Sequence, residues 1–143
     1  MYKILVTTDG SEQSMKTIDE AIRVALPMGA EVTVLSVIED TDSMNYASSI
    51  PKDVIKQVKQ DQVKYYTEAV EKAKKKLEEK GVKAKTLVSK GYPVDVICNT
   101  AEKDKFNLII LGRRRLTKIQ GLILGSVSNK VVQYAKTNVM IVK

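Results

Sequence analysis

Short apolar runs alternate with longer stretches whose apolar residues recur at helical spacing. Residues 2–8 (YKILVTT) read as a strand centred on Ile4, Leu5 and Val6, and Asp9-Gly10-Ser11 turns the chain out of it. Met15, Ile18, Ile22 and Ala25 then form one apolar stripe, which predicts a helix. Ser11 is placed to cap that helix and Glu12 to favour its first turn, while Pro27 and Gly29 close it. Residues 31–37 (EVTVLSV), rich in β-branched side chains, predict the second strand. The polar, serine-containing segment 39–51 reads as a loop, open to two roles: a cover over a ligand or a plain exposed linker. Residues 52–80 predict a long helix with Val54, Val58, Tyr65, Ala69, Ala73 and Leu77 inside, lysine and glutamate outside, and Gly81 as its stop. A helix of this length in a small chain leads us to expect a break or kink near its start.

The second half repeats the alternation. In residues 83–89 lysines alternate with Ala84, Thr86 and Val88, the pattern of an edge strand with one wet face. Pro93 suits the first position of the third helix, with Val94, Ile97, Cys98 and Ala101 on its inner side. Residues 108–111 (LIIL) are apolar without interruption, as in a strand covered on both faces. Ser126 is expected to cap a last helix that carries Val127, Val131 and Val132 and ends near Ala135. Residues 138–143 (NVMIVK) predict the fifth strand. Strand and helix in turn argue an α/β fold: a five-stranded parallel, doubly wound sheet in one domain over residues 1–143. In such sheets ligands bind at the carboxyl ends of strands, where the winding reverses. If the fourth strand neighbours the first, the exits at Thr7-Thr8-Asp9-Gly10 and at Leu111-Gly112 share one crevice.

The exit of the fourth strand is the most informative stretch. Residues 112–128 read GRRRLTKIQGLILGSVS: a glycine, a basic loop, a second glycine and a helix start. Helix N-terminal amides with Arg113, Arg114, Arg115 and Lys118 on the approach suit a phosphate. Each feature also has a plainer reading. Gly112 serves a tight turn equally well, and the arginine triplet could be a solvated loop or a docking patch for an acidic surface. Asp9 could form a local turn with its own backbone, and Val37 could be core. Cys98 reads as a small buried hydrophobe.

Composition narrows the classes. With 43% hydrophobic and 29% charged residues the chain resembles ordinary globular proteins. No apolar run nears the roughly 20 residues of a membrane span, and no leader precedes the first strand, so no membrane role and no targeting peptide are expected. One cysteine excludes an internal disulfide and fits a reducing, cytoplasmic setting. Histidine is absent, which removes the commonest general base and metal ligand. The net charge of +7 favours an anionic partner, although much of the lysine lies on the long helix, where solvation explains it. Nucleic acid is disfavoured: Phe106 is the sole Phe, Trp is absent and no reading helix stands out. Neither G-x-x-x-x-G-K-[ST] nor G-x-G-x-x-G follows a strand. Asp9 and Glu12 alone make a weak metal pair, no catalytic residue is assigned, and any hydrolysis would be slow and incidental.

VTTDGSE after the first strand, LSVIED in and after the second, GYPVDVICNTAEKDKFNLIILG, and Gly112 spaced from GSVS together resemble the universal stress protein family over the whole chain. Nucleotide-binding members carry G-x-x-G, nine residues, then G-[ST]. Here Gly112 and Gly125-Ser126 match in register, while Arg115 stands at the second glycine and Thr7 also departs from the pattern. The resemblance implies a Rossmann-like fold of strand order 3-2-1-4-5, a homodimer, and a site for ATP, ADP or AMP, often with Mg2+ or Mn2+ on the phosphates. Residues 138–143, strongly strand-like, could pair with a second copy across a two-fold axis or serve as an internal strand of one sheet. Thr7, Thr8 and Asp9 would lie by adenine and ribose, and Val37 against the base. Leu111, Gly112, Arg113, Arg115, Gly125, Ser126, Val127 and Ser128 would surround ribose and phosphates. Two roles for Arg115 stand: a side chain filling the phosphate space, or a guanidinium bonded to the phosphates. Two functions follow: a homodimeric nucleotide-binding stress sensor or regulator, or an interaction protein of the same fold with an occluded crevice.

Overall fold

A computed structural model describes residues 1–39, 50–113 and 125–143. The elements are β1 (Lys3–Thr7), α1 (Glu12–Met28), β2 (Glu31–Glu39), α2 (Lys52–Glu79), β3 (Lys83–Gly91), α3 (Pro93–Lys103), β4 (Leu108–Gly112), α4 (Ser126–Tyr134) and β5 (Asn138–Val142). The strands form one parallel sheet in the order β3-β2-β1-β4-β5. Ile4 lies between Val32 and Leu108, and Val6 between Val34 and Ile110. The fourth strand therefore does neighbour the first. Among the described residues no helix is long and apolar enough to cross a membrane.

Alternation of side chains along the central strands divides the core in two. Ile4, Val6, Val32, Val34 and Ile110 pack with Ile18, Ala21 and Ala25 of α1 and Val70, Ala73 and Leu77 of α2. Leu5, Leu35, Ile109 and Leu111 pack with Val94, Ile97 and Ala101 of α3 and Val131 of α4. Both faces being covered, the central strands are continuous apolar runs. At β3, the edge, the expected alternation holds only at its start, where exposed Lys83 and Lys85 flank buried Ala84. Thr86 to Ser89 are all half-buried, with Leu87 and Val88 packing on opposite faces, and the strand runs on to Gly91. Ser11 caps α1 as expected, its hydroxyl accepting from the Ser14 amide at 3.2 Å.

Several expectations are corrected. Pro27 lies inside the last turn of α1, and Gly29 alone ends it, in the left-handed conformation with its N–H on the Ala25 and Leu26 carbonyls. The break expected in α2 is absent: it is one helix of 28 residues. Its inner stripe also differs, for Val54, Val58 and Tyr65 are each about half exposed (49%, 52% and 51%). The reason is the helical repeat. At about 100° per residue these three lie about 100–140° around the helix from Leu77, off the face that buries Val70, Ala73 and Leu77. A helix of that size also spans about 42 Å, whereas a nine-residue strand spans about 30 Å, so its N-terminal end projects past the sheet. In α4 the cap is Gly125, extended at φ −72° and ψ 170°, and Ser126 is the first helical residue. The register that buries Val131 and turns Ser128 toward β4 starts the helix there and leaves Val132 45% exposed.

Glu31 opens β2 in a buried position, with Lys83 at 3.4 Å and Lys85 at 3.3 Å on β3. Burial pushes its carboxyl pKa up, but the Lys85 and Lys83 hydrogen bonds and charges outweigh this and hold it below its ordinary value. A depressed carboxylate stabilises the fold above its unfolded pKa and loses that contribution as pH falls through the folded value. Glu31→Gln is therefore expected to lower stability at neutral pH by about 1 kcal/mol or less. Urea titrations of both proteins should converge below the carboxylate range, where the native Glu31 is protonated too. Leu77→Ala, at a fully buried position, should cost about 2–5 kcal/mol in the same titrations.

Candidate functional site

The winding reverses between β1 and β4, and a cavity of about 660 Å³ opens there at the carboxyl ends of the strands. Its floor comes from both strand exits that the sequence singles out. Thr7, Thr8 and Asp9 line it from β1, and Leu111, Gly112 and Arg113 from β4. Val37 and Glu39 line it from the end of β2, and Val127 and Ser128 from the first turn of α4.

The β1 exit is held by a chain of hydroxyls. The Thr8 hydroxyl accepts from the Gly10 amide at 3.1 Å and lies 2.8 Å from the Ser14 hydroxyl. Ser14 in turn donates to the Ser11 carbonyl at 2.7 Å. The Thr8 carbonyl accepts from the buried Ser36 hydroxyl at 2.6 Å, and its N–H donates to the Leu35 carbonyl at 3.0 Å, so β2 fixes the exit from below. Asp9 makes the local turn that its plainer reading anticipates: Oδ1 accepts from the Ser11 amide at 2.9 Å and the Ser11 hydroxyl at 2.5 Å. It lines the cavity at the same time. Gly10, at φ +84°, passes directly beneath Tyr65 of α2, whose hydroxyl donates to the Asp9 carbonyl at 3.3 Å.

The β4 exit is held to two other elements. The Arg113 amide donates to the Val142 carbonyl of β5 at 2.8 Å. The buried Ser128 hydroxyl donates to the Gly112 carbonyl at 3.0 Å, which aims the start of α4 at the cavity. No side chain caps α4, since its cap residue is glycine. Gly112 is close to α1: a Cβ built on it would come within 2.8 Å of the Thr17 hydroxyl, which is itself buried. Arg113 is exposed at the rim.

The remaining sequence candidates are distributed differently. Gly125 is buried at the α4 cap and is not among the residues that line the 660 Å³ cavity. Ser126 is exposed and lines a smaller hollow of about 230 Å³ with Glu39, Tyr92, Pro93 and Val127. Arg114, Arg115 and Lys118 lie outside the described residues, as does most of the polar segment after β2. Cys98 packs on the α3 side of the core, where burial and then the Asp95 charge push its thiol pKa up and keep it protonated. Sequence reasoning missed a wall: Gln62 and Tyr66 reach the cavity from the overhanging half of α2, joined by Ser14 and Thr17 of α1 and Pro93 and Ile97 of α3. The one local signal was that Gln62 and Tyr66 are four apart and so share a helix face.

The sequence pattern of the universal stress protein family matches residues 1–143. The chain belongs to that family. It is 34% identical over 145 residues to the universal stress protein YxiE of Bacillus subtilis, covering 99% of this chain and 98% of the relative. Its fold superposes on the solved structure of the hypothetical protein MJ0577 with a TM-score of 0.82 at 27% identity, covering 99% of this chain and 95% of that one. A universal stress protein solved in complex with cAMP shares the fold at a TM-score of 0.71 and 24% identity, over 99% and 96% of the two chains. In this universal stress protein the motif glycine Gly112 is thus also a packing residue. Gly112→Ala should cost about 1–3 kcal/mol through overpacking against Thr17. Adding Thr17→Ala should recover part of that loss in chemical denaturation.

Proposed function

We propose that the cleft receives an adenine nucleotide, ATP or its ADP and AMP forms, and that this cytoplasmic universal stress protein acts as a homodimeric sensor or regulator. The observation that carries the reading is one cavity joining Thr7, Thr8 and Asp9 to Leu111, Gly112, Arg113, Val127 and Ser128. Its volume of about 660 Å³ lies within the range of small-molecule sites. In this reading Val37 backs the base and Asp9 faces the ribose. Arg113 and the amides at the start of α4, from Gly125 through Val127, meet the phosphates, as suits the positive end of a helix dipole. Arg115, by its register in the motif, would either bond the phosphates or fill their space. A divalent ion, Mg2+ or Mn2+, would be held chiefly through the phosphates, because among the described residues no three His, Cys, Asp or Glu side chains converge. The cAMP complex of a protein with this fold supports a nucleotide in the cleft.

The dimer would form through β5. This strand is an edge of the sheet, paired on one side with β4, and Val139, Met140, Ile141 and Val142 are only half-buried. A second copy related by a two-fold axis would pair with the open side. The alternative function, an interaction protein that binds no nucleotide, is favoured by one detail: the Asp9 carboxylate is already engaged by Ser11.

Calorimetry with ATP and magnesium should show saturable binding, and none at millimolar nucleotide would leave only the interaction protein. Arg115→Gly sorts the two roles of that residue. Weaker ATP binding, about ten-fold or more for a lost charge-assisted hydrogen bond, marks a phosphate contact, and tighter binding marks an obstruction. Sedimentation should give a dimer, and a monomer at every concentration would exclude pairing through β5.

A further inference from the structure

The overhanging half of α2 has no role in the hydrophobic core. Its buried residues begin at Val70, yet the helix continues about five turns toward its N-terminus. What this half touches is the cleft. Tyr65 rests on Gly10 and bonds the Asp9 carbonyl, which fixes the helix over the β1 exit. Tyr66 stacks edge-on against Tyr65, with ring centroids 5.1 Å apart and planes at 87°. One helical turn earlier on the same face, Gln62 lines the cavity together with Tyr66.

The lining of the cavity is mixed in chemistry. Arg113 and the α4 N-terminus bring positive charge, and Asp9 and Glu39 bring carboxylates. Gln62 and Tyr66 supply an aromatic face and a carboxamide, both neutral. α2 packs on one face of the sheet and α4 on the other, so these groups approach the crevice from opposite sides. A neutral ring and a carboxamide suit a flat heterocycle rather than a phosphate. A carboxamide offers a donor and an acceptor side by side. Adenine presents the complementary pair at N6 and N7, whereas guanine presents two acceptors at O6 and N7 and favours arginine or lysine.

Resting on the nucleotide reading above, we infer that Gln62 is the residue that selects adenine over guanine, with Tyr66 supporting the base. The carboxamide oxygen accepts from N6 and its NH2 donates to a ring nitrogen, while the Tyr66 ring packs against the heterocycle. Tyr65 is a positioning residue that holds the helix in place through Asp9 and Gly10.

The test compares ATP and GTP, each with magnesium, on the native chain, Gln62→Leu and Tyr66→Leu by calorimetry. The native chain should prefer ATP. Gln62→Leu should weaken ATP about ten-fold, the scale of one bidentate contact, leave GTP unchanged and so abolish the preference. Tyr66→Leu should weaken both nucleotides alike. Neither position is in the buried core, so thermal unfolding midpoints should stay near the native value, and that separates a binding loss from a folding loss. A Gln62→Leu chain that keeps the native ATP preference overturns this inference and leaves nucleotide binding standing. A native chain that binds neither nucleotide overturns both.

Discussion

The constraint on which the structure depends is the reversal of winding between β1 and β4. A parallel sheet needs crossover helices, and right-handed crossovers place them on one face or the other according to the direction in which strands are added. Stepping outward from β1 to β2 and β3 puts α1 and α2 on one face. Returning to β4 and β5 puts α3 and α4 on the other. The chain segments leaving β1 and β4 must therefore part in opposite directions, although their strands are hydrogen-bonded neighbours. The gap between them is the cavity.

Given that gap, local chemistry makes it a shaped surface. Backbone at a strand exit leaves the sheet's hydrogen-bond ladder, and buried groups there need other partners. Ser36 supplies one for Thr8 from β2, Ser128 supplies one for Gly112 from α4, and Val142 supplies one for Arg113 from β5. Hydroxyl side chains are abundant around the cleft for this reason as well as for any ligand. The same bonds set the direction of the α4 N-terminus, and a helix dipole acts mainly within its first turn. The shape of the cleft thus rests on these few contacts.

The long helix shows a second consequence of layered packing. A helix longer than the strand it covers must project past the sheet at one end. Here the second half of α2 packs on the sheet while Gln62 and Tyr66 stand at the cavity by the strands' carboxyl ends, so the excess lies over the cleft. Tyr65 then packs on Gly10, where the positive φ and the absent Cβ make room for its ring. Val54 and Val58 stay exposed, on a different face of the helix from Val70, Ala73 and Leu77.

Alternation of apolar runs and amphipathic stretches was enough to define five strands, four helices and a parallel architecture, because periodicity and turn chemistry act between near neighbours. The Ser11 cap, Pro93 at the start of α3 and the two glycine-marked strand exits were legible for that reason. Which helix face meets the sheet was less so. Val54, Val58 and Tyr65 can be read as one stripe with Leu77 by their spacing, but at about 100° per residue they lie about 100–140° around the helix from it. The face that meets the sheet through Val70, Ala73 and Leu77 continues instead into Tyr66 and Gln62. Likewise nothing near Gly112 in the chain announces Thr17, and nothing near Asp9 announces Tyr65. Those contacts join segments far apart in sequence, and they exist only once strand order has brought the ends of β1, β2 and β4 together under α2.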